Sequence, residues 1–165
     1  IRSRLVGSEM CIRDRCRRMP SEPQLPAEPL CLVFGDEDFL VRDRAKQIYE
    51  GWCAAAGGID HEVVDGSVRN ADEALQALAK LNEALQTLPF FGGNKVVWLR
   101  GANFLGDDRK ASSAAVTDRL TELAKSWESF DWQGVQLLIS AGTVDKRKSF
   151  LKTVSYTHLT LPTKG

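Results

Sequence analysis

The 165-residue sequence is short of several things that would assign it a chemistry at once. It has no apolar run near the ~18 residues that a membrane span needs. It has no excess of either charge, with 22 Lys and Arg against 22 Asp and Glu. It has two histidines, and its four cysteines form no C-x-x-C pair, which excludes the usual zinc spacings. It has no Gly-x-Gly-x-x-Gly and no glycine-rich loop ending in Gly-Lys-Ser/Thr, the arrangements that cradle nucleotide phosphates. No metal and no cofactor is therefore expected.

The zero net charge is unevenly spread. Residues 1–18 carry six arginines and two acids, whereas residues 19–153 hold 15 basic and 20 acidic residues, a net of −5. An acidic middle is a poor stand-alone nucleic-acid surface, because phosphate contacts need clustered Lys or Arg. Of the cysteines, Cys31 and Cys53 fall at core positions of the patterns below. There a free thiol behaves as a small hydrophobe, which suits a reducing cytoplasm.

Neither end has the periodicity of a folded element. Residues 1–18 read as a disordered basic tail or a non-native one. Val6-Gly-Ser-Glu-Met-Cys-Ile-Arg-Asp-Arg15 resembles translated sequencing-adapter read-through, as does Val154-Ser-Tyr-Thr-His-Leu-Thr-Leu-Pro-Thr-Lys164. On that reading residues 154–165 are also a non-native tail, and Cys11, Cys16 and His158 carry no function. Residues 19–29 contain four prolines and form an extended leader.

Between these ends strand and helix patterns alternate. Leu30–Phe34 is a short apolar run of the kind buried in a parallel sheet. Gly35 follows, then Asp36, Glu37 and Asp38. This turn stands where nucleotide-binding folds hold phosphate, but its three carboxylates would repel one. A helix with Val41, Ala45, Ile48, Trp52 and Ala56 on one face ends at Gly57-Gly58. Ile59–Gly66 reads as a second strand, with His61 a polar residue at its edge. Asn70 and Glu73 are placed to cap a second helix with the stripe Ala71, Ala74, Leu75, Leu78, Leu81 and Leu85. Pro89 stops that helix, so Phe90 and Phe91 fall at a corner. Gly92-Gly93 then turns the chain into Lys95–Leu99, a third strand. It ends in Arg100-Gly101, where an ATPase strand would carry acids that hold magnesium.

Asn103 to Lys110 is a polar loop around Phe104 and Leu105. Val116, Leu120, Leu123 and Trp127 mark a third helix. Trp127, Phe130 and Trp132 read as packing residues, since Glu128 and Asp131 among them oppose a base-stacking role. Val135–Ser140 is a fourth strand. Asp145 is placed to cap a last helix, 146–152. Its run Lys146, Arg147 and Lys148 is a solvated face or, as the densest positive patch of the middle segment, one that faces DNA. Alternating strands and helices give an α/β domain with a mostly parallel sheet covered on both faces.

Taken in order, Leu32-Val-Phe-Gly-Asp-Glu-Asp-Phe-Leu-Val41, Leu85-Gln-Thr-Leu-Pro-Phe-Phe91, Val96-Val-Trp-Leu99 and Leu137-Leu-Ile-Ser140 with Asp145-Lys-Arg147 resemble the amino-terminal domain of the delta subunit of bacterial DNA polymerase III. The resemblance covers residues 30–153. It implies an AAA+-like (RecA-type) domain with no functional P-loop. It further implies a clamp-loader subunit that binds and opens the sliding clamp, the beta subunit, through a hydrophobic plug and does not itself hydrolyse ATP. The plug positions are Gln86, Leu88, Phe90 and Phe91. The sequence departs from the family in having Phe at 90 where Leu is usual, Pro89 in the spacer, and Asn94 where a basic residue is often found. The resemblance implies no catalytic residue of its own, so any enzyme class would be that of the holoenzyme, a DNA-directed DNA polymerase and nucleotidyltransferase. Other loader subunits would join through later domains, DNA would be met only in the assembled complex, and the setting would be the bacterial cytoplasm and its nucleoid-associated replisome. Two alternatives stand beside it. One is an active P-loop ATPase of the same loader. The other is a small-molecule α/β enzyme using Asp36, Asp65 and Ser140 at the strand ends.

Overall fold

A computed structural model describes residues 25–90, 92–106, 113–154 and 158–160. The two tails apart from Val154 and 158–160, the first part of the leader, Phe91 and half of the 103–110 loop lie outside these residues. Five strands form one sheet: β1 (Leu30–Phe34), β2 (Glu62–Asp65), β3 (Lys95–Arg100), β4 (Val135–Ala141) and β5 (His158–Thr160). Their order is β2-β3-β4-β1-β5, and every pairing is parallel. Four helices connect them: α1 (Asp38–Ala56), α2 (Ala71–Gln86), α3 (Ala114–Glu128) and α4 (Ser149–Val154). The α/β architecture is thus the expected one. β5 falls in the segment read as a non-native tail, and its backbone pairs with Leu32–Phe34 of β1.

Handedness decides which helix covers which face. The β1 to β2 connection runs across the sheet in one direction and the next three run in the other. A right-handed crossover then places α1 on one face and α2, α3 and α4 on the opposite one. The two apolar clusters follow this division. Cys31, Val33, Val96, Trp98 and Leu138 pack against Val41, Ala45, Ile48 and Trp52 of α1. Leu32, Val97, Leu99, Leu137 and Ile139 pack against Leu78, Leu81, Leu120, Leu123 and Phe150 from the other three helices. Both faces of β1, β3 and β4 are therefore apolar, as a covered parallel sheet requires, whereas the edge strand β2 buries only Val64.

The caps form with local variations. The Asn70 side chain accepts from the Glu73 amide at 2.9 Å, and Glu73 accepts from the Arg69 amide at 2.8 Å. Trp127 meets Phe150 edge-on at 5.6 Å and Phe130 meets Trp132 at 4.7 Å, so these aromatics pack against one another as expected. Phe104 and Leu105 are buried in a short 3-10 turn, Asn103–Leu105, tied down by Asn103, whose side chain bonds the Val68 amide and carbonyl.

Two elements start three residues later than the sequence pattern implies. The second strand begins at Glu62 rather than Ile59; just before it, the His61 ring accepts from the Val96 amide of β3 at 3.2 Å. The last helix begins at Ser149 rather than 146. Asp145 holds the Arg147 amide and guanidinium, each at 3.0 Å, and closes a turn in place of capping a helix.

Leu78 is fully buried between α2 and the sheet. Leu78→Ala is expected to cost about 2–5 kcal/mol, read by urea unfolding. Two ionisable groups, the buried Cys31 and the partly buried Tyr49, should also limit stability in alkali. Burial pushes the Cys31 thiol from 9.0 up to about 11. Burial, and then the neighbouring Cys53 thiol, pushes Tyr49 to about 12. Both folded-state values lie above the unfolded ones, so the unfolded chain loses its protons first. Stability should be level below pH 9 and fall as pH rises towards 11. Unfolding midpoints measured at pH 8, 9, 10 and 11 check this, and a flat profile would contradict it.

Candidate functional site

The corner between α2 and β3 lies at the amino-terminal end of the sheet. α2 stops at Gln86, whose exposed side chain donates to Asn82 at 3.4 Å. Thr87 leaves the helix with extended backbone, while its amide and hydroxyl both bond the Glu83 carbonyl. Two large apolar side chains then stand in solvent: Leu88 is 81% exposed and Phe90 88%. Gly92 and Gly93 take positive φ, 66° and 122°, a region that costs residues with a Cβ. The chain thereby swings back into β3. Of the four expected plug residues, Gln86, Leu88 and Phe90 share this corner, and Phe91 lies outside the described residues.

The corner is held from one side by three consecutive residues. The Asp60 carboxylate accepts from the Phe90 amide at 2.9 Å. The His61 Nδ1 accepts from the Val96 amide at 3.2 Å. The Glu62 carboxylate accepts from the Lys95 ammonium at 2.8 Å. Lys95 also donates to the Thr87 carbonyl at 3.4 Å, so one ammonium ties the end of α2 to the start of β3. Lys95 is 1% exposed, and a buried charge needs such partners. Ile59, 79% exposed, joins Leu88 and Phe90 around a cavity of about 300 Å³. None of Ile59, Asp60 or Lys95 stands out in the sequence as part of this corner. The available signal was a lysine opening a strand whose next four residues are all apolar.

At the other end of the sheet a crevice of about 400 Å³ opens where β1, β3 and β4 finish, with Asp36, Asp38 and Arg42 on its rim and Ser140 at its base. The turn behind it is committed to structure. The Gly35 amide donates to the Gly142 carbonyl at 3.3 Å, and Glu37 supplies the first helical acceptor, to Val41. Asp36, Glu37 and Asp38 are exposed at the α1 N-terminus. Such carboxylates offset the helix dipole themselves. Ser140 is buried, and its hydroxyl receives the Trp98 indole at 3.0 Å and the Gly101 amide at 3.1 Å. Asp65 does not line this crevice; it accepts from the Ser67 amide and faces Arg100 at 3.7 Å. The trio Asp36, Asp65 and Ser140 is thus not gathered into one site, and His61 lies at the opposite end of the strands. No group of three or more potential metal ligands occurs among the described residues.

The basic run divides. Lys146 and Arg147 are exposed, although Arg147 is engaged by Asp145. Lys148 is turned inward and donates to the Phe104 and Gly106 carbonyls at 3.1 and 3.0 Å. Its ammonium anchors the 103–106 segment, which removes it from a surface that could meet DNA.

A family model described as DNA polymerase III, delta subunit, matches residues 32–161. No curated protein sequence matches the chain. Among solved structures, a DNA polymerase III gamma subunit-related protein from Thermotoga maritima aligns at 11% identity with a TM-score of 0.45. The alignment covers 84% of this chain and 42% of that one.

The Lys95–Glu62 pair gives an asymmetric expectation. Glu62→Ala leaves the buried ammonium with one distant carbonyl, whereas Lys95→Met removes the charge that needed pairing. Glu62→Ala should cost about 2 kcal/mol and Lys95→Met less, by urea unfolding of both variants. The reverse order would show that the ammonium is solvated by other means.

Proposed function

The chain belongs to the DNA polymerase III delta subunit family, and from that premise we propose that it binds the sliding clamp through the corner after α2. The observation that carries the reading is the pair of exposures at Leu88 and Phe90, 81% and 88%, on a corner held at both ends. Large apolar side chains in solvent need an explanation. A clamp pocket that buries them supplies one, since buried aromatic anchors dominate interface energies. Gln86 stands one turn ahead of them at the helix end, and Phe91 completes the plug.

Opening a closed ring requires no bond chemistry. It requires a wedge that binds the open clamp better than the closed one. A plug on a capped helix, fastened to a parallel sheet, delivers binding energy without first being ordered. The opposite end of the sheet supports the second half of the reading, that this subunit does not hydrolyse ATP. Three carboxylates occupy the turn where phosphates would sit, and the third strand ends in Arg100 and Gly101 rather than in magnesium ligands. Lys146 and Arg147, both exposed, are the basic residues that would face DNA in an assembled loader, Arg147 while paired with Asp145. Partnership with other loader subunits, and work at the nucleoid, follow from family membership as part of the same proposal. Among the described residues no helix is long and apolar enough to cross a membrane.

Phe90→Ala is expected to weaken clamp binding by about 2 kcal/mol, roughly thirtyfold, and the double variant with Phe91→Ala should abolish it. Because Phe90 is exposed, its replacement should change folding stability by no more than about 0.5 kcal/mol. Surface-immobilised bacterial clamp with the full chain as analyte measures the first effect, and thermal unfolding the second. Unchanged clamp affinity, or a variant that unfolds, would defeat the plug assignment.

A further inference from the structure

We infer that Asp60 is the positioning residue of the plug, acting within a latch of three consecutive side chains, Asp60-His61-Glu62, and this rests on the clamp-binding reading above. The three side chains bond three points of one segment of the neighbouring connection. Asp60 takes the Phe90 amide at 2.9 Å, inside the apolar tip. His61 takes the Val96 amide at 3.2 Å, where the segment has become β3. Glu62 takes the Lys95 ammonium at 2.8 Å, and that same ammonium reaches the Thr87 carbonyl at 3.4 Å, where the segment leaves α2. Entry, tip and exit are each fastened, and all three fasteners come from the first residue of β2 and the two before it.

The geometry assigns different tasks to the three. Glu62 and His61 act where the segment is anchored in secondary structure, so their loss is felt by the whole domain. Asp60 acts at Phe90, 30 residues away in sequence, in the part of the segment with neither helix nor strand. Its bond is charge-assisted, the stronger class of hydrogen bond. Leu88, Pro89, Phe90, Gly92 and Gly93 belong to no helix or strand, and the two glycines take positive φ. Such a segment samples many conformations unless tied, and each must be given up on binding. The carboxylate of Asp60 restrains that freedom before the clamp arrives. Asp60 need not touch the clamp to set its affinity.

The experiment uses the full chain with Asp60→Ala and Asp60→Asn. The amide oxygen of Asn still accepts the Phe90 N–H, whereas Ala cannot. Asp60→Ala should weaken binding to immobilised bacterial clamp about tenfold, with Asp60→Asn recovering most of the loss. Hydrogen exchange without clamp is the second readout. Exchange at the Phe90 amide should rise about tenfold or more in Asp60→Ala, with Leu78 and Val97 amides in the core unchanged. If wild type fails to bind clamp, the partner assignment falls, and the exchange result alone decides whether Asp60 orders the tip. If Asp60→Ala leaves Phe90 exchange unchanged, or if both variants bind clamp like wild type, Asp60 does not position the plug.

Discussion

The buried ammonium of Lys95 is the interaction on which the arrangement of this domain's exposed corner depends. A lysine ammonium at 1% exposure needs acceptors close around it. Here Glu62, from the adjacent parallel strand, and the Thr87 carbonyl provide the acceptors. That choice brings the end of α2 against the start of β3, and Leu88 and Phe90 between them stand outward. Leu88 and Phe90 are exposed because both ends of their segment are bound inward. The apolar tip and the buried charge are two sides of one constraint.

The same constraint explains which parts of the fold can be read from sequence. Strand and helix positions follow from apolar periodicity, and Val41, Ala45, Ile48 and Trp52 are buried as their spacing implies. Handedness, a rule of chirality rather than of sequence, then assigns faces. Side-chain contacts between remote segments leave no local trace. Glu62 and Lys95 are 33 residues apart, and Asp60 and Phe90 are 30 apart, with no motif joining them. The early boundaries fail for this reason. Ile59–His61 looks like strand, but His61 spends its ring nitrogen where a strand would use its backbone. Residues 146–148 look like the first turn of a helix, but Asp145 closes on Arg147 and Lys148 turns inward. In each case a polar side chain takes a hydrogen bond that the periodic pattern would give to the backbone.

The candidate site is legible in kind and less so in composition. Gln86, Leu88 and Phe90 belong to one stretch of chain, so their common position is a matter of local geometry: a helix end, a proline and two glycines. Ile59 joins their surface from another connection, and only the tertiary structure puts it there. The acidic turn at Asp36–Asp38 is the opposite case. Its meaning is local, since three carboxylates at a helix N-terminus oppose an anion wherever the rest of the chain lies.

The two ends of the sheet also differ in what they can do together. Parallel strands five to seven residues long separate the acidic crevice from the apolar corner by roughly 20 Å. β1, β3 and β4 are covered on both faces by packed side chains, and such interiors transmit displacement rather than absorb it. In the proposed mechanism a wedge must not yield when a ring resists. A corner hung on a flexible loop would lose part of its binding energy to its own rearrangement. A corner tied at entry, tip and exit to the edge of a closely packed sheet passes the load to the whole domain. In that mechanism the wedge draws on no nucleotide at its far end, and carboxylates there would cost it nothing.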